Sequence, residues 1–361
     1  TISSNETLYT IDTNNNGVFE TDIDWIWLDN GTSLGVIDDG DTFFVVSDTN
    51  SNGVLNVGEN LVALYTPKTK YIVETNGVYP VVWERGVNLT SSSHYDTHGH
   101  GTGVVGILNG GQRGYRRFVG VAPDAEVMAI NIFGFNGLTV EDALIWARDH
   151  GADIILIEIG SWSYEFLDGS SNVEMMIDSL TRDGIPVIVP AGNLFGGGRH
   201  AMRNGFANVP LSTRFIVPTG LGASELYITV LCNQPMSQAQ LVLQEPMPAG
   251  TFLHLLTPGS GYNNWVMSAT TMNVTIQSFL ATSPRGTFML AVHVQGSIKD
   301  TLAWSIDINN PNTAGYHFYI ADDVTSWSGG VACHPSDGLS DQFTITWPST
   351  ADTAISVASY M

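Results

Sequence analysis

Between residues 120 and 193 the chain alternates short apolar runs with amphipathic stretches of ten to twelve residues, a pattern that few folds satisfy. The segment Val127 to Phe133, the run ADIILIEIG after Gly151, and GIPVIVPAGN each read as a buried strand. A helix is predicted after Thr139, its N-cap, with Asp142 three residues on. Ala143, Ile145, Trp146 and Ala147 are expected to supply its buried contacts, and Gly151 to end it. A second helix is predicted from about Asn172 to Arg182, with Val173, Met176, Ile177 and Leu180 at helical spacing. Strands separated by such helices must run parallel, because the crossover returns the chain to the edge it left. The expected fold class is therefore α/β. Asn193 falls just past the carboxyl end of the last strand, where sheets of this kind place their chemistry.

Upstream lies HYDTHGHGTGVVGILNG, residues 94 to 110. It predicts a histidine at the first turn of a buried helix, with Val104, Val105 and Leu108 facing a core. Gly101 and Gly106 would allow close approach to neighbours, and a rigid helix start suits a general base. The spacing G-H-G-T-x-V-x-G, at Gly99, His100, Gly101, Thr102, Val104 and Gly106, resembles the histidine motif of the subtilases, the subtilisin-like serine peptidases. His100, and not His94 or His98, is in register. GVAPDAEVMAINIFG from residue 120 is similar to that family's G-V-A-P segment, and Ala191-Gly192-Asn193 resembles its oxyanion-hole asparagine. WPSTADTAISVASYM, residues 347 to 361, resembles a later strand of the same core.

The resemblance implies a parallel-sheet subtilisin-like core and hydrolysis of a polypeptide substrate through Ser, His and Asp. His100 would be the general base and Asn193 the donor to the oxyanion. Where the family usually shows Ser-Leu-Gly on its substrate-binding strand, this chain has Glu158, Ile159 and Gly160. An acidic group there would either favour basic side chains or be paired with a partner elsewhere in the protein.

Two members of the triad are not supplied in the same way. No G-T-S-M-A-[SA]-P segment follows His100, and Gly31-Thr32-Ser33 precedes it without the proline. GVIDDGD, residues 35 to 41, resembles the family's aspartate strand end and nominates Asp38, but that residue also falls in an acidic repeat. Ser, and with it the Asp, is expected on further polypeptide of the same precursor, as in large extracellular subtilases of the pyrolysin type.

The repeat has copies DTNNNGVFETDI from Asp12, NGTSLGVIDDGD from Asn30 and DTNSNGVLNVGE from Asp48, each 18 residues after the last. Gly17, Gly35 and Gly53 hold the sixth position of the three copies. The third satisfies the calcium-loop pattern through Asp48, Asn50, Asn52, the Val54 carbonyl and Glu59. The first keeps Asp12, Asn14, Asn16, the Val18 carbonyl and Glu20, but has Ile23 at position twelve, so Asp22, Asp24 or a distant group must close it. The middle copy keeps only Asp38 and Asp41. Asn-Gly turns between the short strands WIWL, TFFVVS and NLVALY explain the same residues without an ion. Ca2+ is expected here in a structural role.

Residues from about 205 to 325 change character. ELYITVLC, AQLVLQE, FLHLLTP, MNVTIQSFL, TFMLAVHVQG and LAWSIDIN alternate as strands do, separated by Gly, Pro, Ser and Asn clusters. An inserted antiparallel β-sandwich is expected. The domain reading is thus 1–75 acidic loops, 76–204 α/β core, 205–325 insertion and 326–361 return to the core. Thirteen Lys+Arg against 35 Asp+Glu, a formal net charge of −22, argue against nucleic acid or anionic membrane as partner. No apolar run is long enough for a membrane span. Sequons at Asn5, Asn30, Asn88 and Asn273 point toward a secreted glycoprotein, while Cys232 and Cys333 leave both a disulfide and two buried thiols open. The alternative to a peptidase is a catalytically inactive subtilase-fold scaffold of an extracellular layer or filament.

Overall fold

The computed structural model describes residues 7–13, 15–21, 24–29, 33–37, 41–50, 52, 56–64, 68–85, 87–89, 96, 99–111, 118–123, 125–133, 137–235, 240–244, 253–256, 263–269, 272–296, 298, 303–309, 313–324 and 333–359. They divide into two compact units, Thr1–His150 and Gly151–Met361.

The first unit opens with an antiparallel sheet of four strands in sequential order, β1 (Thr7–Ile11), β2 (Trp25–Asp29), β3 (Thr42–Ser47) and β4 (Asn60–Leu64). Alternation puts Trp25 and Trp27 on one face, where Ile11 and Phe43 bury them. Then follow β5 (Thr69–Thr75), β6 (Pro80–Glu84), α1 (His100–Asn109), β7 (Val127–Ile130) and α2 (Val140–Asp149). β5 pairs antiparallel with β6 and parallel with β7. Thr139 caps α2 as predicted, its hydroxyl oxygen accepting from the Asp142 amide at 3.1 Å. The face of α2 turned inward carries Ala143, Leu144, Trp146 and Ala147. Ile145 stands about 100° around the helix from Leu144, and is 39% exposed, contrary to expectation. A second correction concerns α1. Glycines at 101, 103 and 106 thin its surface, Ile107 and Leu108 are exposed, and Asn109 is its buried residue.

The second unit begins with β8 (Ile155–Leu156), α3 (Asn172–Arg182) and β9 (Val187–Pro190). α3 has a full capping box, Ser171 accepting from the Glu174 amide while Glu174 accepts from the Ser171 amide. Val173, Ile177 and Leu180 are its buried apolar residues. The strands β10 (His200–Gly205), β11 (Leu211–Ile216), β12 (Glu225–Cys232), β13 (Gln240–Gln244), β14 (Leu253–Leu256), β15 (Asn263–Ala269), β16 (Met272–Thr282), β17 (Phe288–Gly296), β18 (Ala303–Asn309), β19 (Ala314–Asp322) and β20 (His334–Pro335) come next. They form antiparallel sheets in the orders β10-β19-β12-β17-β16-β15 and β14-β13-β18-β11-β20. One cluster unites their inner residues, among them Ile228 on β12, Val292 on β17, Phe318 on β19, Phe215 on β11 and Trp304 on β18. The other face of the six-stranded sheet covers Trp162 and Leu194 with Leu231, Met289 and Tyr319. The chain ends its described part in β21 (Ile355–Val357), parallel to β9, completing the order β21-β9-β8.

Cys232 and Cys333 are free, buried thiols in the cluster between the sheets. Burial pushes Cys232 up to about 11, and burial with Asp322 beside it pushes Cys333 up to about 12, so both stay protonated and inert. No helix among the described residues is long and apolar enough to cross a membrane.

Candidate functional site

His100 is the first residue of α1, exposed, and follows Gly99 in the left-handed region at φ 76°. The carboxylate that organises this turn is Asp96, which the motif did not single out. Its Oδ1 accepts from the Gly99 amide and its Oδ2 from the Thr102 amide, both at 2.8 Å. Two amide donors left without helical partners at the α1 start are thereby satisfied. At the opposite end the Lys68 ammonium donates to the carbonyls of Asn109 and Gly111. Asp38 lies outside the described residues.

In the second unit, β9 leads directly into Ala191, Gly192 and Asn193. The Ala191 amide donates to Val357 and its carbonyl accepts from the Thr346 amide at 3.0 Å, so the turn is held from two sides. Gly192 sits at φ +96°, and a Cβ there would lie 2.2 Å from Thr346 Oγ1. Asn193 is exposed, while Leu194 behind it is buried. Glu158 is exposed, Ile159 half-buried, and a Cβ on Gly160 would stand 2.9 Å from the same Thr346 hydroxyl. Ser161 and Trp347 exchange backbone hydrogen bonds of 2.9 Å alongside. Thr346, fully buried, thus fixes the spacing between the Glu158–Gly160 segment and the Asn193 turn. Nothing in the local sequence marked it.

Around the acidic repeats, Asp12 accepts from the amides of Asn16 (3.1 Å) and Gly17 (2.7 Å), and the Asn16 side-chain oxygen Oδ1 accepts from the Val18 amide. The Asn16 amide group donates to Glu20. Asp48 and Asn50 both accept from the Asn52 amide, and Thr21 Oγ1 donates to Asp48 at 2.9 Å, joining the first loop to the third. Glu59 accepts from the amides of Thr49 and Asn56. In the first loop that position is filled by Asp24, whose oxygens accept from the amides of Thr13 and Glu20. Asn14 and Val54 lie outside the described residues, and Asp41 is half-buried. Among the described residues no three His, Cys, Asp or Glu side chains converge as a metal group.

The chain matches the Peptidase S8 group, the subtilase family, over residues 29–210. It belongs to that family of serine peptidases. Over 120 residues it is 32% identical to fervidolysin of Fervidobacterium pennivorans, covering 30% of this chain and 16% of that protein. Over 122 residues it is 30% identical to pyrolysin of Pyrococcus furiosus, covering 30% of this chain and 9% of that protein. Subtilisin Savinase of Lederbergia lenta is 30% identical over 109 residues, 29% of this chain and 38% of that one. The chain therefore spans well under half the length of these relatives. In fold it is similar to the Clostridium perfringens CspB protease, with a TM-score of 0.58 at 15% identity over 81% of this chain and 63% of that one.

Proposed function

We propose that this chain carries the histidine and oxyanion segments of a secreted, calcium-binding serine endopeptidase. The observation that bears most weight is the joint presence, inside the family match at 29–210, of His100 at the start of α1 and Asn193 just beyond the carboxyl end of β9. In this reading His100 accepts the proton of a serine hydroxyl as that oxygen attacks the scissile carbonyl. It then returns the proton to the leaving amine. The Asn193 amide donates to the oxyanion formed between the two steps. The serine, and the carboxylate that orients His100, come from polypeptide outside these 361 residues, with Asp38 the weak internal candidate for the carboxylate. Glu158, Ile159 and Gly160 line the substrate strand, and the exposed Glu158 carboxylate selects basic side chains.

The two antiparallel sheets are read as an insertion of about residues 205–325 in the α/β core, with 326–361 returning to it. Residues 1–75 are the calcium-loop region. Oxygen-only donors suit a hard divalent cation, and Asp24 supplies in the first loop the closing carboxylate that Glu59 supplies in the third. Asp24→Asn should lower calcium affinity and calcium-dependent thermal stability together; an unchanged calcium titration would remove Asp24 from the ligand set.

The activity is tested by fluorophosphonate labelling of the native particle, with mass spectrometry of whatever polypeptide accompanies this chain. Labelling lost in His100→Ala supports the peptidase. An intact particle that never labels turns the reading toward the inactive scaffold.

A further inference from the structure

The middle copy of the repeat, poorest in ligands by sequence, is preceded by a buried carboxylate. Asp29, the last residue of β2, is 5% exposed. Its Oδ2 accepts from the Gly35 amide at 2.6 Å, whereas its Oδ1 is buried without any hydrogen-bond partner. A buried carboxylate oxygen left unsatisfied is costly, more so when the group is charged. The strand register sharpens the problem. β2 pairs antiparallel with β3 through Trp27↔Phe43 and Leu28↔Thr42, and Asp29 follows and Asp41 precedes the last of these pairs. Like charges brought to the end of one strand pair repel when both are ionised. Two carboxylates thus flank one connection, and one of them is buried with an oxygen that no protein group satisfies.

We propose that Asp29 and Asp41 together bind a divalent cation, Ca2+ by the hardness of the donors. Asp29 does for this loop what Asp12 and Asp48 do for theirs. All three accept from an amide of the following turn, that of Gly35, Gly17 and Asn52 respectively. The spacing agrees as well, since Asp29 precedes Asp41 by the same twelve positions that separate Asp12 from Asp24. Placed one residue ahead of the aligned repeat, Asp29 is invisible to a strict motif. This site rests on the calcium part of the proposal above and not on the peptidase part.

The test uses the full chain stripped with chelator and titrated with Ca2+ by calorimetry and with Tb3+ by luminescence excited through tryptophan. Trp27 lies two residues before Asp29 on the same face of β2 and is a built-in sensitiser. Asp29→Asn and Asp41→Asn should each abolish one binding event or weaken it at least about tenfold, while leaving the events lost in Asp12→Asn and Asp48→Asn. Asp29→Asn should also melt higher than the parent without calcium and lower with it. A carboxylate serving only the Gly35 amide would melt lower in both conditions. Two variants guard against one that fails to fold. If Asp29→Asn and Asp41→Asn retain every event of the parent, the site is overturned and the calcium reading of the other loops survives. If the parent binds no cation at all, both calcium readings fall, and fluorophosphonate labelling still decides the peptidase independently.

Discussion

The hydroxyl of Thr346 occupies the space in which a Cβ on Gly192 would have to stand, 2.2 Å from it. Thr346 is fully buried and also donates to the Ala191 carbonyl, so it has little freedom to withdraw. Gly192→Ala would meet this clash and a positive φ at once. The left-handed conformation costs a non-glycine residue about 1–2 kcal/mol and overpacking about 1–3, so a loss near 3 kcal/mol is expected. Denaturant melts should show a lower midpoint at unchanged slope, partly restored by adding Thr346→Ala.

Asn193 is exposed beyond that turn and supports no part of the core. Asn193→Ala should therefore leave the melting temperature within about 1 °C and, under the peptidase proposal, lower kcat by about 10²–10³. Equal kcat in parent and variant would remove it from the oxyanion site.

His200 and His317 tie β10 and β19 to the segment approaching Thr346. His200 Nδ1 lies 3.0 Å from the Ser340 carbonyl, and its Nε2 3.1 Å from His317 Nδ1. A carbonyl only accepts, so Nδ1 of His200 carries its proton and its Nε2 accepts from His317. Burial, and secondarily the neighbouring His200, lower His317 to about 4, and burial lowers His200 despite the Ser340 and Asp341 oxygens nearby. With the folded value depressed, the unfolded chain binds more protons as pH falls. Stability is full above about pH 6.5 and declines toward pH 4, by up to about 3 kcal/mol for His317. Urea melts at pH 7 and 4.5 measure this, and His317→Gln should flatten the difference.

The β16–β17 hairpin is fastened to the loop before α3. Ser283 Oγ donates to Asp168 at 2.6 Å, while Arg285 pairs with Asp352 in an exposed fork. Burial raises the Asp168 carboxyl, but hydrogen bonds from Ser170, Ser283 and Thr287 outweigh it and hold the group below its usual range. Ser283→Ala should cost about 1–3 kcal/mol through this charge-assisted bond. Arg285→Ala should shift the melting midpoint far less, because water already screens its pair.

The strands and helices between residues 127 and 193 were legible because their causes are local. Thr139 before Asp142, and Val173, Ile177 and Leu180 at helical spacing, act within a few residues of one another. The family resemblance of the His100 and Asn193 segments was legible for the same reason, as each motif is contiguous. The exposure of Leu108 was not, because a helix pattern names an apolar face without naming what covers it. Nor were Thr346 and Asp29, while Asp24 was one of several groups that the sequence left open for closing the first loop. Thr346 matters through Gly160 and Gly192, which the chain brings to it from far upstream. Asp24 and Asp29 each sit one residue outside the repeat, and the folded turns bring their oxygens to the amides. The sequence by itself determined which segments are helix or strand and which motifs they bear. Only the tertiary structure decided which distant side chains share one small volume, because that choice depends on packing and pairing that no local pattern encodes.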